Sequence, residues 1–137
     1  MAIGRVNLGV GANGLVLESL QAGSAIREGS AIGVVEVLGV LSVYEVSASS
    51  NGANFCGFSR SAYSVGDLVR VLSVRGSTLT PIIKSGAQFN KGQRVWLSET
   101  LGEVSQTVPN TAGNVILQVG VATSNSDLIL LTDFRVG

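Results

Sequence analysis

The sequence predicts an all-β chain: a single compact β-barrel or β-sandwich of short antiparallel strands, with an extended N-terminal arm. Three observations predict it. Eighteen glycines are spread along 137 residues, and each would weaken a helix interior by about 1 kcal/mol relative to alanine. Valine dominates the apolar residues, and its β-branch suits a strand. Between the glycines, side chains mostly alternate with period two, the strand period. The length fits one domain, divided here into an arm at 1–14 and a β-rich domain at 15–137.

The arm is separated by Gly9-Val10-Gly11-Ala12-Asn13-Gly14. A frayed terminus is one reading. An arm reaching onto a neighbouring subunit is the favoured one, because Ile3, Val6, Leu8 and Val10, set around Arg5, would be wasted on a free tail. Leu15 to Leu20 is a strand candidate. Short helical turns are placed near Glu18–Gln21 or Ser59–Ala62.

Ala31–Val37 and Leu38–Ser47 read as strands. In the second, Val40, Ser42, Tyr44 and Val46 alternate with Leu41, Val43 and Glu45. Both sets are largely apolar, so cover on both faces is expected. Asn51-Gly52 is a turn dipeptide. Leu68–Arg75 alternates clearly. Leu79–Ile83 is expected at a sheet edge, since Pro81 cannot donate to a ladder. Arg94–Ser98 and Glu103–Thr107 follow. Val115–Ala122 and Leu128–Phe134 form a last pair around the polar loop Ser124-Asn125-Ser126-Asp127. Gly120 inside a strand predicts a bulge or a close backbone approach.

One device recurs. Arg27-Glu28-Gly29-Ser30-Ala31, Ser64-Val65-Gly66-Asp67-Leu68 and Asn90-Lys91-Gly92-Gln93-Arg94 each place a glycine two residues before alternating β-formers. A turn closing in a glycine with positive φ, followed at once by a strand, accounts for all three. The spacings of 37 and 26 residues exclude a solenoid repeat.

The chemistry-bearing residues are sparse. The chain has no histidine, one cysteine (Cys56), nine basic and nine acidic residues. Neutral-pH acid–base catalysis usually relies on histidine, and the nine acids are scattered singly. No enzyme is expected, and no cofactor. Zero net charge argues against nucleic acid as a partner. Metal ligation has little to draw on; a calcium site from Asn125 to Asp127 is one option, without the EF-hand pattern. Gly9 to Gly14 fits G-x-G-x-x-G, but no strand–helix unit surrounds it. Cys56 reads as a small buried hydrophobe rather than a reactive thiol.

No signal-peptide pattern opens the chain, and the most apolar stretch, Ala31–Val46, is interrupted by Glu36 and Glu45. It falls short of the roughly 20 apolar residues of a membrane helix. A soluble protein made in the cytoplasm, with no membrane partner, is expected. Charged residues make up 13% against a typical ~25%. Such a surface is either coated with Ser, Thr and Asn or covered by other subunits. Trp96, opposite in phase to Val95 and Leu97, packs in a two-faced strand or anchors an interface.

The C-terminal half, Tyr63 to Arg135, carries Ser64-Val65-Gly66-Asp67-Leu68-Val69 and then Asn90-Lys91-Gly92-Gln93-Arg94-Val95-Trp96-Leu97. Gly102-Glu103-Val104-Ser105, Val119-Gly120-Val121-Ala122 and Leu128-Ile129-Leu130-Leu131 follow. In their order and spacing these motifs resemble the capsid decoration (cement) proteins of tailed phages. The first 60 residues share only that family's Gly- and Val-rich texture. The resemblance implies a virion structural protein on the outer capsid surface, made in the host cytoplasm. Its partners would be the major capsid protein and further copies of itself, with a trimer favoured, and its arm (Ile3, Arg5, Val6, Leu8, Val10) would contact the capsid. The alternative is a receptor- or glycan-binding module of a virion head fibre or tail, using Trp96 or Tyr63.

Overall fold

The computed structural model describes residues 20–133. The arm residues Ile3, Arg5, Val6, Leu8 and Val10, the division after residue 14 and most of the strand candidate at 15–20 lie outside them. The described chain is all-β, as its glycine and valine pattern requires. Strands β1 (Ala31–Val37), β2 (Val40–Glu45), β3 (Phe55–Ser59) and β4 (Val71–Leu72) form one sheet in the order β2-β1-β3-β4. Strands β5 (Thr78–Leu79), β6 (Arg94–Leu97), β7 (Val104–Ser105), β8 (Gln118–Ala122) and β9 (Leu128–Asp133) form a second, in the order β5-β9-β8-β6-β7. Neighbouring strands within both sheets are antiparallel.

Two cores result. The larger lies between the sheets and joins Ala31, Val46, Phe55 and Phe58 from the first to Val95, Leu97, Val104, Val119, Leu128 and Leu130 from the second. Phe55 and Phe58 meet edge to face, with ring centroids 5.4 Å apart, the arrangement the ring quadrupoles favour. The smaller core lies on the other face of the first sheet, where Ile32 and Val43 pack with Ala22, Ile26 and Val69. Period two makes both possible, because Ala31 turns to one core and Ile32 to the other.

The first sheet curls until its ends are bridged. Val43 donates its N–H to the Gln21 carbonyl, and Gly23 donates to the Val43 carbonyl. On its other side the same segment bonds to the residues leading into β4: Ala22 N–H to Asp67, Gly66 N–H to Ala22 and Val69 N–H to Leu20. Residues 20–23 therefore satisfy the outer edge of β2 at Val43, which would otherwise present unpaired backbone groups.

The three turn glycines behave as their sequence context predicts. Gly29, Gly66 and Gly92 have φ of 80°, 92° and 88°, and pairing starts two residues later at Ala31, Leu68 and Arg94. Gly120 is both a bulge and a close approach: register slips between Gln118 and Gly120, and a Cβ there would run into the Ile129 carbonyl oxygen.

Four local expectations are corrected. Ser59–Ala62 is not helical; Ser59 ends β3, a strand the alternation did not indicate. Leu68–Arg75 pairs as a strand only at Val71–Leu72, because the residues flanking Leu68 bond to Leu20 and Ala22 and the Arg70 N–H goes to the Tyr63 hydroxyl. The edge strand near Pro81 is Thr78–Leu79, one residue earlier, with Pro81 itself beyond it and buried. The strand drawn over Leu38–Ser47 begins at Val40 and is not covered on both faces along its length.

Candidate interaction surface

Strand pairing lengths build the most exposed feature. β1 pairs with β3 only through Ala31, Ile32 and Gly33, whereas it pairs with β2 out to Val37↔Val40. Beyond the Val34↔Val43 pair, which packs in the smaller core, the β1–β2 hairpin projects as a two-stranded finger. Its tip is aliphatic: Val37 is 45% exposed, Leu38 98%, Val40 61% and Leu41 56%. Glu36, opposite Leu41, is the charged residue beside the tip and has no ion pair among the described residues.

The turn at the tip is held in an unusual way. Leu38 and Gly39 form a two-residue loop with φ of 54° and 83°, positive at both positions as in a type I′ hairpin turn. Asn or Asp suits the first position; a leucine there is strained by its Cβ. The sequence thus places a large aliphatic side chain where it costs both backbone strain and exposure, a combination that points to a binding role.

At the base of the hairpin lies an ionic clasp. Arg27 donates from Nη2 to Glu45 Oε1 at 3.0 Å and from Nε to Glu45 Oε2 at 3.1 Å, and its backbone N–H donates to the same Oε2 at 2.8 Å. Nη1 reaches Glu103 Oε2 at 3.2 Å, and Nη2 the Leu101 carbonyl at 2.7 Å. The Arg27 pKa is raised, chiefly by the hydrogen bond from its side chain to Glu45. Glu45 is only 8% exposed, so its charge depends on these donors. The clasp ties the finger's base to the turn before β7.

Trp96 lies on the outer face of the second sheet. Val95 and Leu97 are fully buried in the main core, while Trp96 is half-buried opposite Ser105 and Gln118. Four other described aromatic rings pack into the cores. Phe55, Phe58 and Phe89 are buried in the main core, and Tyr63 packs on the smaller one.

Among the described residues, clefts open to solvent include two of note. One, of about 160 Å³, is lined by Lys84, Ser98, Glu99 and Asn110. The Glu99 carboxyl there sits below the ordinary range, mainly through a hydrogen bond with the Thr111 side chain. The other, of about 240 Å³, lies where the sheets adjoin, with Leu72 and Leu79 beside Glu28, Arg60 and Thr80.

Cys56 sits in β3 against the smaller core, and burial pushes its thiol up to about 12. Asp127 Oδ1 accepts hydrogen bonds from Thr80 and Ser126, and among the described residues no three His, Cys, Asp or Glu are grouped to hold a metal. No described helix is long and apolar enough to cross a membrane. The finger and the clasp were not singled out by sequence reasoning; the one usable signal was Leu38-Gly39, a two-residue loop within a doubly apolar stretch. Compared with known proteins, the chain matches no family model, no curated protein and no solved structure.

Proposed function

We propose that this chain is a non-catalytic virion protein that binds the outer surface of a phage capsid and clamps neighbouring major capsid proteins. The carrying observation is its exterior. Among the described residues nine large aliphatic side chains, including Val65, Leu68, Val74, Leu101 and Val108 besides the finger, are well exposed on a protein that is only 13% charged. Such a surface is suited to cover by other proteins rather than to life as a free monomer. The order of motifs from Tyr63 to Arg135 supplies the class. A protein that binds only the assembled shell stabilises it by mass action. Many weak contacts on one lattice add through effective concentration. The same reading makes the protein a homo-oligomer, with a trimer favoured, and gives the arm residues Ile3 to Val10 a share of the capsid contact. Electron microscopy of particles made with and without the protein tests this: density over the shell should vanish with it.

A second reading rests on Trp96, whose partly exposed ring beside Gln118 suits a sugar face. Density on a fibre or tail instead of the shell, with glycan binding lost in Trp96→Ala, would replace the first reading with this one.

A further inference from the structure

The finger and the cleft between the sheets are complementary, and we infer that they are the two halves of one contact: the β1–β2 tip of one copy seats in the Leu72–Leu79 cleft of the next. This deepens the homo-oligomer part of the reading above and needs no shell. The cleft measures about 240 Å³. A leucine side chain of four carbons takes up on the order of four water volumes of about 30 Å³ each, so it fits with room for Val40 beside it. Leu72 and Leu79 offer it an apolar wall.

Charge sets the orientation. Glu36 stands beside the tip and Arg60 on the cleft, and neither has an ion-pair partner among the described residues of its own chain. Glu28 also lines the cleft, so only the pose that brings Glu36 to the Arg60 side is favourable. Glu36 beside the tip also disfavours the other obvious use of an aliphatic finger, insertion into an anionic bilayer.

Charge also argues for this partner over a tip-to-tip pair. The tip exposes on the order of 400 Å² of apolar surface, a size that marks an interaction site. Two tips meeting face to face would bring two Glu36 carboxylates together, whereas the cleft offers Arg60. A finger-in-cleft contact is heterologous, so each copy makes two of them, one with its finger and one with its cleft. Such contacts close into a ring or run on as a chain, depending on the rotation between copies. The strained, exposed Leu38 is then the anchor of the contact, its cost in the monomer recovered on burial.

Sedimentation velocity on the purified full chain, up to roughly 100 µM for a contact this small, tests it. The wild type should associate, while Leu38→Asp and Arg60→Glu should each weaken association by about thirtyfold, the loss of one hot spot. An equimolar mixture of the two variants should form dimers and nothing larger, since one supplies an intact cleft and the other an intact finger. Glu36→Arg combined with Arg60→Glu should restore association, which also shows that the rim substitutions leave the fold intact. A wild type monomeric throughout the range, an unaffected Arg60→Glu, or a mixture that stays monomeric would each overturn the contact. If Leu38→Asp associates normally but no longer binds shells, the finger's occupant is the shell protein and the self-contact is refuted while the shell reading stands.

Discussion

Arg27 and Glu45 grip each other at two points, Nη2 to Oε1 at 3.0 Å and Nε to Oε2 at 3.1 Å, across 18 residues of sequence. The pair stands between a half-exposed guanidinium and a carboxylate that is 8% exposed. The carboxylate is therefore the partner that suffers when the pair is broken. A fully buried pair loses 3–5 kcal/mol on removal of one member, and the exposure of Arg27 reduces this, so Arg27→Met should cost about 2 kcal/mol. Urea unfolding measures it, and Glu103→Gln should cost visibly less because its contact is exposed.

Leu38→Asn should move stability the other way. Asparagine accepts the left-handed conformation that Leu38 adopts at φ 54°, and it removes an aliphatic side chain from water. A gain of about 1 kcal/mol in the monomer is expected, read as a higher urea midpoint at an unchanged slope. The same substitution should weaken association, by no more than Leu38→Asp does, separating what the fold wants at this position from what binding wants.

Gly120→Ala should be among the most damaging methyl additions in the chain. The added Cβ meets the Ile129 carbonyl oxygen on the neighbouring strand, a backbone atom that cannot swing away. A loss of about 3 kcal/mol is expected from overpacking in a well-packed sheet. A Cβ on Gly113 meets nothing nearby, although its φ of 89° remains strained for alanine, so Gly113→Ala should cost about 1 kcal/mol through the backbone alone.

Cys56 should be inert in the native protein and should shape the alkaline limb of stability. Its thiol is raised to about 12 by burial, above the roughly 8.5 of an unfolded chain. The contribution is therefore complete below about pH 8.5 and is lost as pH rises from there toward 12, where the unfolded state releases its proton first. Cys56→Ala should flatten that part of the curve. At pH 8 a maleimide should label unfolded protein at once and native protein at least a hundredfold more slowly.

The sequence made the turns more legible than the strands between them. Gly29, Gly66 and Gly92 needed only local chemistry to be placed, because positive φ is a property of the residue itself. β3 was missed because Phe55 and Phe58 stand three apart, a helix-like interval. An extra residue at the Cys56–Gly57 bulge turns both rings to the same core, and periodicity cannot see a bulge. Leu68–Arg75 alternates as a strand should, yet its backbone is divided among Leu20, Tyr63 and β3, a choice made by distant segments. The finger was hidden for a related reason: apolar residues on both faces read as cover, and only the short β1–β3 register reveals that pairing stops at Gly33 and burial fades beyond it. Arg27, Glu45 and Glu103 carry no local signal at all, since a clasp over 18 and 76 residues is defined by the fold. Trp96 was placed in the right phase by Val95 and Leu97, and its outward face follows from that alternation.

The most direct test of the central claim is a binding isotherm of the purified chain on capsids assembled without it, read by co-sedimentation alongside the melting temperature of the capsids. Binding should saturate at a fixed number of copies per shell, set by lattice symmetry, with a melting temperature that rises as sites fill. No saturable binding, together with equal melting of bare and treated shells, would contradict the claim.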